Sequence, residues 1–83
     1  MTTTNSAALT TAWSASLVSD GDDFTLRNTG VETIWLWADT SAPSATDVGF
    51  PIKAGEVITR DEVPNGNIYL REETINAAYA LLT

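Results

Sequence analysis

Carboxylates are the most numerous titratable side chains in this sequence, and five of the eleven fall in two short runs. Asp20, Asp22 and Asp23 fall within one short run, and Glu72 is followed directly by Glu73. Two carboxylates at a fixed separation can hydrolyse a glycoside. One of them must then sit in a cleft that excludes water, and a chain of 83 residues has little room for such a cleft. We therefore expect no catalytic residue here.

The acidic run at residues 20–23 could also attract Ca²⁺, which prefers several carboxylate oxygens. It lacks the longer loop and the closing Glu of a calcium-binding motif. Gly21 and its Asp neighbours equally favour a tight turn, and we prefer that interpretation. The chain has neither Cys nor His, which excludes thiolate and imidazole metal sites and the usual hydrolase triad. Lys53, the remaining candidate base, is typical of a surface lysine. We expect no metal and no cofactor.

Composition excludes further classes of function. Eleven acidic residues against four basic ones give a net charge of −7, which repels nucleic acid and anionic membrane surfaces. Apolar runs are only a few residues long, so none predicts a membrane span. The absence of cysteine also leaves a small domain without disulfides, and contact with a partner is the remaining source of extra stability. We expect self-association or docking on something larger.

Aromatic side chains carry the most information about binding. The candidate interface residues are Trp35, Trp37, Trp13 and Tyr69. Strand alternation places Trp35 and Trp37 on one face, with Ile34 and Leu36 on the other. In one interpretation the tryptophans fill the core while the aliphatic pair lies under a loop or an edge. In another, a neighbouring subunit or protein covers one of the two faces. A platform for stacking sugars is a third.

The elements that must position these residues are short strands. Alternating apolar and polar residues separated by turn signals predict strands at residues 24–28, 31–38, 50–53, 57–60 and 67–71. Pro51 indicates an edge position for its strand. We predict an all-β fold, a single small β-sandwich or β-barrel of about six or seven short antiparallel strands.

The two ends of the chain are less regular. Residues 1–6 are polar and predict a flexible N-terminal arm, without the basic and apolar regions of a secretory signal, ahead of one β domain at residues 7–83. Residues 9–18 favour an extended strand, although the spacing of Leu9, Trp13 and Leu17 also fits a helix. Residues 77–82 could form either a strand or a helix, because Ala and Leu prefer helices.

The order of turns and strands resembles small β-rich virion structural proteins of tailed bacteriophages. The likeness covers about two-thirds of the chain, from position 20 to position 71. The residues that carry it are 20–21, 24–28, Gly30, 34–37, 41–43, 54–56 and 67–71. The chain departs from the pattern in its two central-strand tryptophans and in the alanine before Gly55.

This resemblance implies a non-enzymatic component of a virus particle. The expected role is a capsid decoration, or cement, protein on the exterior of the virion, made in the host cytoplasm. Its partner would be the major capsid protein, and it would act as a homo-oligomer, either trimer or dimer, with no nucleic acid and no membrane as partner. One alternative is a head-fibre, tail-fibre or adsorption module that contacts host-surface glycans. Another is a cellular accessory or inhibitor domain with a soluble partner.

Overall fold

Seven short strands and one turn of 3₁₀ helix make up the fold in a computed structural model, which describes residues 3–5, 11–73 and 78–83. The elements are β1 (Thr3–Asn5), β2 (Thr25–Asn28), β3 (Ile34–Asp39), β4 (Phe50–Ile52), β5 (Val57–Thr59), the 3₁₀ helix (Arg60–Glu62), β6 (Asn67–Glu72) and β7 (Tyr79–Leu82). All paired strands are antiparallel. The prediction of an all-β fold of short antiparallel strands is confirmed.

The strands form two sheets. One has four strands in the order β1-β7-β2-β5, and the other has three in the order β4-β3-β6. The connections β2–β3, β4–β5, β5–β6 and β6–β7 all pass from one sheet to the other. The chain therefore ties the two sheets together repeatedly, and each sheet is assembled from segments that are distant in sequence.

The core lies between the two sheets. Alternation along β3 directs Ile34 and Leu36 inward, where both are completely buried, and Leu26 of β2 is buried in the same cluster. The buried cluster comprises Val18, Phe24, Leu26, Ile34, Leu36, Ile52, Ile68, Leu70, Tyr79 and Leu81. Removing an aliphatic or Phe side chain from water contributes about 1.5–3 kcal/mol. This layer is therefore the main source of stability.

A buried asparagine links the sheets through polar contacts. Asn28, at the end of β2, is fully buried. Its Nδ2 donates to the Ile52 carbonyl in the other sheet at 2.8 Å and to the Glu32 carbonyl at 2.6 Å. Its Oδ1 accepts from the Gly30 N–H at 3.0 Å. A buried amide is tolerated only when it is hydrogen-bonded, and these three bonds meet that requirement while fixing how the sheets meet.

Two sheet edges carry features that discourage pairing with another strand. β4 is an edge strand, as Pro51 predicts, and proline has no N–H to offer a further strand. At the edge strand β5, the Thr59 N–H is taken up by the Glu62 carboxylate at 3.2 Å. Occupied or missing donors make both edges poor templates for indiscriminate strand addition.

Residues 9–18 do not form the predicted strand over their described part, residues 11–18. The segment runs along β6, where Ser14 N–H donates to Leu70 O at 2.9 Å and Leu17 N–H to Ile68 O at 2.8 Å. The bonds advance three positions on this segment (14 to 17) but only two on β6 (70 to 68). The extra residue bulges out, which breaks the regular ladder and leaves a single bridge between Val18 and Ile68.

Both ends of the described chain join the four-stranded sheet. β7 pairs with β2 on one side and β1 on the other, so residues 79–82 adopt the strand alternative rather than the helix. Pairing with a strand on each side outweighs the local preference of Ala and Leu for a helix. β1 lies within the N-terminal segment for which the sequence predicts an arm, and the remaining residues of that segment, 1, 2 and 6, lie outside the described residues.

Candidate functional site

The outer face of the three-stranded sheet carries all three tryptophans of the chain. In the register of β3 and β6, Trp35 lies directly opposite Arg71, and Trp37 lies directly opposite Tyr69. Trp13 joins them from the bulged segment beside β6. The structure thus brings together all four aromatic residues that the sequence singles out. We call these four residues, with Arg71, the aromatic face.

The interpretation in which the tryptophans fill the core is wrong. Ile34 and Leu36 are 0% exposed in the core, whereas Trp35 and Trp37 are half-buried on the opposite side of β3. The gap between packed sheets is roughly 10 Å, which two facing rows of aliphatic side chains already fill. No room is left between the sheets for two indole rings, so they lie outside.

Trp13 reaches the aromatic face because the chain beside β6 is pinned at the next residue. The Ser14 N–H donates to Leu70 O at 2.9 Å, and the Ser14 hydroxyl accepts from the Leu70 N–H at 3.1 Å. The Trp13 ring then lies 6.3 Å from the Trp37 ring, centroid to centroid, at an interplanar angle of 56°. Tilted pairs at this distance are favourable beyond their buried area.

Arg71 lies between two indole rings. Its guanidinium carbon Cζ is 5.2 Å from the centroid of Trp13 and 5.2 Å from the centroid of Trp35. Both distances fall within the range of cation–π attraction. The candidate residues derived from the sequence omit Arg71. Alternation within the predicted strand contains the missing signal, because Arg71 is two residues after Tyr69 and must therefore share its face.

The loop at residues 40–49 closes over the aromatic face and holds two of its side chains. Trp13 Nε1 donates to Asp47 O at 3.1 Å, and Arg71 Nη2 donates to Val48 O at 3.3 Å. Gly49 has φ +82°, and a Cβ atom there would lie 2.5 Å from Leu36 O and 2.8 Å from the Trp13 ring. Only glycine permits both this backbone conformation and this close approach.

A groove runs beside Trp13. It has a volume of about 380 Å³ and is lined by Thr11, Ala12, Trp13, Pro43 and Ala45. This size lies at the lower end of the range for small-molecule sites. The groove and the aromatic face share Trp13, so one continuous surface offers an indole ring, a groove with polar and apolar lining, and a cation.

Two members of the aromatic face are covered to different degrees. Tyr69 is only 6% exposed, so it supports its neighbours from below and offers little surface of its own. Trp37 is half-buried, and its Nε1 is fully buried without a hydrogen-bond partner in the part of the chain that the structure describes. The surface offered to a partner therefore comes chiefly from Trp13, Trp35 and Arg71.

The structure does not bring the acidic residues and Lys53 together in a site. The acidic run forms the predicted turn, in which the Asp22 N–H donates to Ser19 O at 3.1 Å. Within residues 3–5, 11–73 and 78–83, no three acidic side chains are arranged to hold a metal ion. Glu72 is buried on the inner face of β6 while Glu73 is exposed, so the adjacent carboxylates do not share a cleft. Lys53 is exposed in the turn after β4.

Comparison with known proteins adds no relative. The chain matches no protein-family model, no curated protein sequence and no solved structure. In the described part of the chain, no helix is long and apolar enough to cross a membrane.

Proposed function

We propose that this chain is a non-enzymatic structural protein of a bacteriophage particle, a decoration protein that binds the outer surface of the major capsid protein. The aromatic face is the observation that carries the docking part of this proposal. Trp and Tyr contribute large apolar area with a polar handle, and with Arg they are the residue types enriched at the energetic centres of protein interfaces. The identity of the particle rests on the resemblance of residues 20–71 to virion proteins.

Charge and size support an external position on a larger assembly. A net charge of −7 keeps the chain away from packaged DNA and favours the outside of the shell. A domain of 83 residues buries a limited core, and binding to a partner stabilises its folded state by mass action. In this proposal the chain acts as a trimer or dimer on the capsid exterior after synthesis in the host cytoplasm.

Binding to capsids assembled from the major capsid protein alone tests the proposal directly. Purified chain should co-sediment with these capsids, and Trp35→Ala should weaken binding by roughly 30-fold, the effect of losing an interface centre worth about 2 kcal/mol. Val57→Ala is the matched control, because Val57 is exposed on the outer face of the other sheet. Thermal unfolding of each variant establishes that it is folded.

Each outcome has a clear meaning. Failure of the unmodified chain to bind capsids contradicts the decoration role. If a folded Trp35→Ala variant binds capsids as strongly as the unmodified chain, the aromatic face is not the surface that contacts the capsid. Immunogold labelling of phage lysates provides a check without reconstitution, since label over whole heads supports decoration, and label restricted to one vertex or to tails does not.

A second candidate is an adsorption module that contacts host-surface glycans, and the groove beside Trp13 favours it. An indole ring bordering an open trough of about 380 Å³ provides a stacking surface next to space for a sugar ring. Added saccharide should then change tryptophan fluorescence, and Trp13→Ala should remove the change. Unaltered fluorescence with a panel of neutral and acidic oligosaccharides would contradict this second candidate.

A further inference from the structure

Arg71 differs from the other arginine that lies over an aromatic ring. Arg60 stacks on Phe24, with Cζ 5.1 Å from the ring centroid, and its three nitrogens donate to carbonyl oxygens of the chain. The acceptors are Asp22 O at 2.7 Å, Gly66 O at 2.9 Å and Ser19 O at 2.9 Å. Arg60 therefore holds the acidic turn against the 3₁₀ helix, and each of its three guanidinium nitrogens forms a hydrogen bond within the fold.

The guanidinium of Arg71 also lies over aromatic rings, but fewer of its N–H groups are used within the fold. Within the described part of the chain it stacks between Trp13 and Trp35, donates once to Val48 O at 3.3 Å and pairs with no carboxylate. A guanidinium has five N–H donors in a planar fork. Most of these donors remain available, and the two flanking rings limit where the guanidinium can lie.

The absence of a carboxylate partner is informative in a chain of this composition. Acidic residues outnumber basic ones by eleven to four, so a nearby carboxylate would be easy to supply. In the loop at residues 40–49, the carboxylate of Asp47 instead accepts from the Ser44 N–H at 2.8 Å and stabilises its own turn. The fold thus positions a cation among indole rings and, within the described residues, gives that cation no carboxylate partner.

We propose that Arg71 is the receptor for an acidic side chain, Asp or Glu, on the protein to which the aromatic face docks. This inference rests on the proposed docking function and specifies the partner's chemistry. A carboxylate matches the guanidinium fork with two parallel hydrogen bonds. On docking, the indole rings and the partner together cover that pair, and the lower local dielectric strengthens it. Exposed acidic residues further than a Debye length of about 8 Å are screened at physiological salt, so the net charge does not prevent the contact.

Two short capped peptides test the inference without the natural partner. Acetyl-Gly-Glu-Gly-amide carries the carboxylate, and acetyl-Gly-Gln-Gly-amide is its neutral match. In NMR titrations the first should shift the indole N–H signals of Trp13 and Trp35 and the Nε–H signal of Arg71. Its apparent affinity should exceed that of the neutral peptide by at least about fivefold, the contribution of a charge-assisted bidentate pair.

Three variants sharpen the result. Arg71→Met keeps an apolar stem between the rings and should abolish the preference for the acidic peptide. Arg71→Lys keeps the charge without the fork and should retain only part of it. Arg27→Met is the control for net charge, because Arg27 is exposed on the outer face of the other sheet, and it should behave like the unmodified chain.

The failure of this inference can be told apart from failure of the docking proposal. Equal responses to the two peptides, or an acidic preference that survives in folded Arg71→Met, would overturn the role of Arg71. A response to glucuronate without a response to the glutamyl peptide would overturn it in favour of an acidic saccharide. If the peptides are discriminated but capsids are not bound, Arg71 keeps its role and the capsid protein is the wrong partner.

Discussion

The two sheets both present buried apolar side chains on their inner faces, but their outer faces differ. On the four-stranded sheet, Arg27 lies opposite Val57 and both are exposed, with no described aromatic side chain on that outer face. On the three-stranded sheet, the aromatic face carries three tryptophans, and the loop at residues 40–49 lies over it. Both sheets close the same core, so folding alone does not require this asymmetry. Among the described residues, the gathering of aromatic side chains on one outer face fits the docking role proposed for that face.

The largest expected difference in stability is between substitutions at two adjacent residues of β3, Leu36 and Trp35. Leu36→Ala should lower the free energy of unfolding by about 2–5 kcal/mol, because it leaves a cavity in the core. Trp35→Ala, one residue earlier on the outer face, should cost about 1–2 kcal/mol, because its ring is only half-buried. Urea unfolding followed by circular dichroism measures both. Equal losses would mean that the tryptophan takes part in the core and that the two faces of β3 are not distinct.

The next largest difference in stability is between an inner and an outer position of β2, Asn28 and Arg27. Asn28→Ala should cost about 2–3 kcal/mol, since the Ile52 and Glu32 carbonyls and the Gly30 N–H all lose a buried partner. Arg27→Ala, its exposed neighbour, should change stability by no more than about 0.5 kcal/mol. The same urea series measures the pair. A small loss at Asn28 would show that water replaces its bonds and that the two sheets are joined by apolar contacts alone.

The sequence predicts the strands well but not which face of β3 is buried. Alternation and turn residues mark five of the strands, and Pro51 correctly indicates an edge. Residues 34–37 are apolar on both faces, so periodicity cannot tell inside from outside, and only the limited space between the sheets decides. The bulge before Val18 depends on hydrogen bonds to β6, a segment about fifty residues away. That pairing places Trp13 on the aromatic face, and no pattern in the neighbouring residues of the sequence predicts it.

A pair of glycines tests whether the loop at residues 40–49 is fitted to the aromatic face. Gly49 and Gly55 have almost the same φ, +82° and +81°, but only at Gly49 would a Cβ meet other atoms. Both alanine variants should lose about 1 kcal/mol from the left-handed backbone. Gly49→Ala should lose about 1–3 kcal/mol more, because Leu36 O and the Trp13 ring must move. Thermal unfolding measures the difference. Identical losses would mean that loop and ring are not in close contact.

The smallest expected effect lies within the aromatic face and separates its two indole N–H groups. Trp13→Phe removes the bond to Asp47 O and should cost about 1 kcal/mol beyond the lost ring area. Trp37→Phe removes an N–H that has no partner among the described residues, so the relief of that unpaired donor should offset most of the lost contact. Chemical denaturation at matched conditions should therefore rank Trp37→Phe as the milder change.

The reverse order would contradict this assignment. A larger loss for Trp37→Phe would mean that its N–H is satisfied by water or by residues outside the described ranges, and that Trp37 is a fastening point of the fold. The expected order instead makes Trp13 the ring whose N–H fixes the loop and Trp37 the ring against which it packs. The aromatic face then holds its shape before any partner arrives, because the fold already orders its side chains, and little conformational entropy remains to be lost on docking.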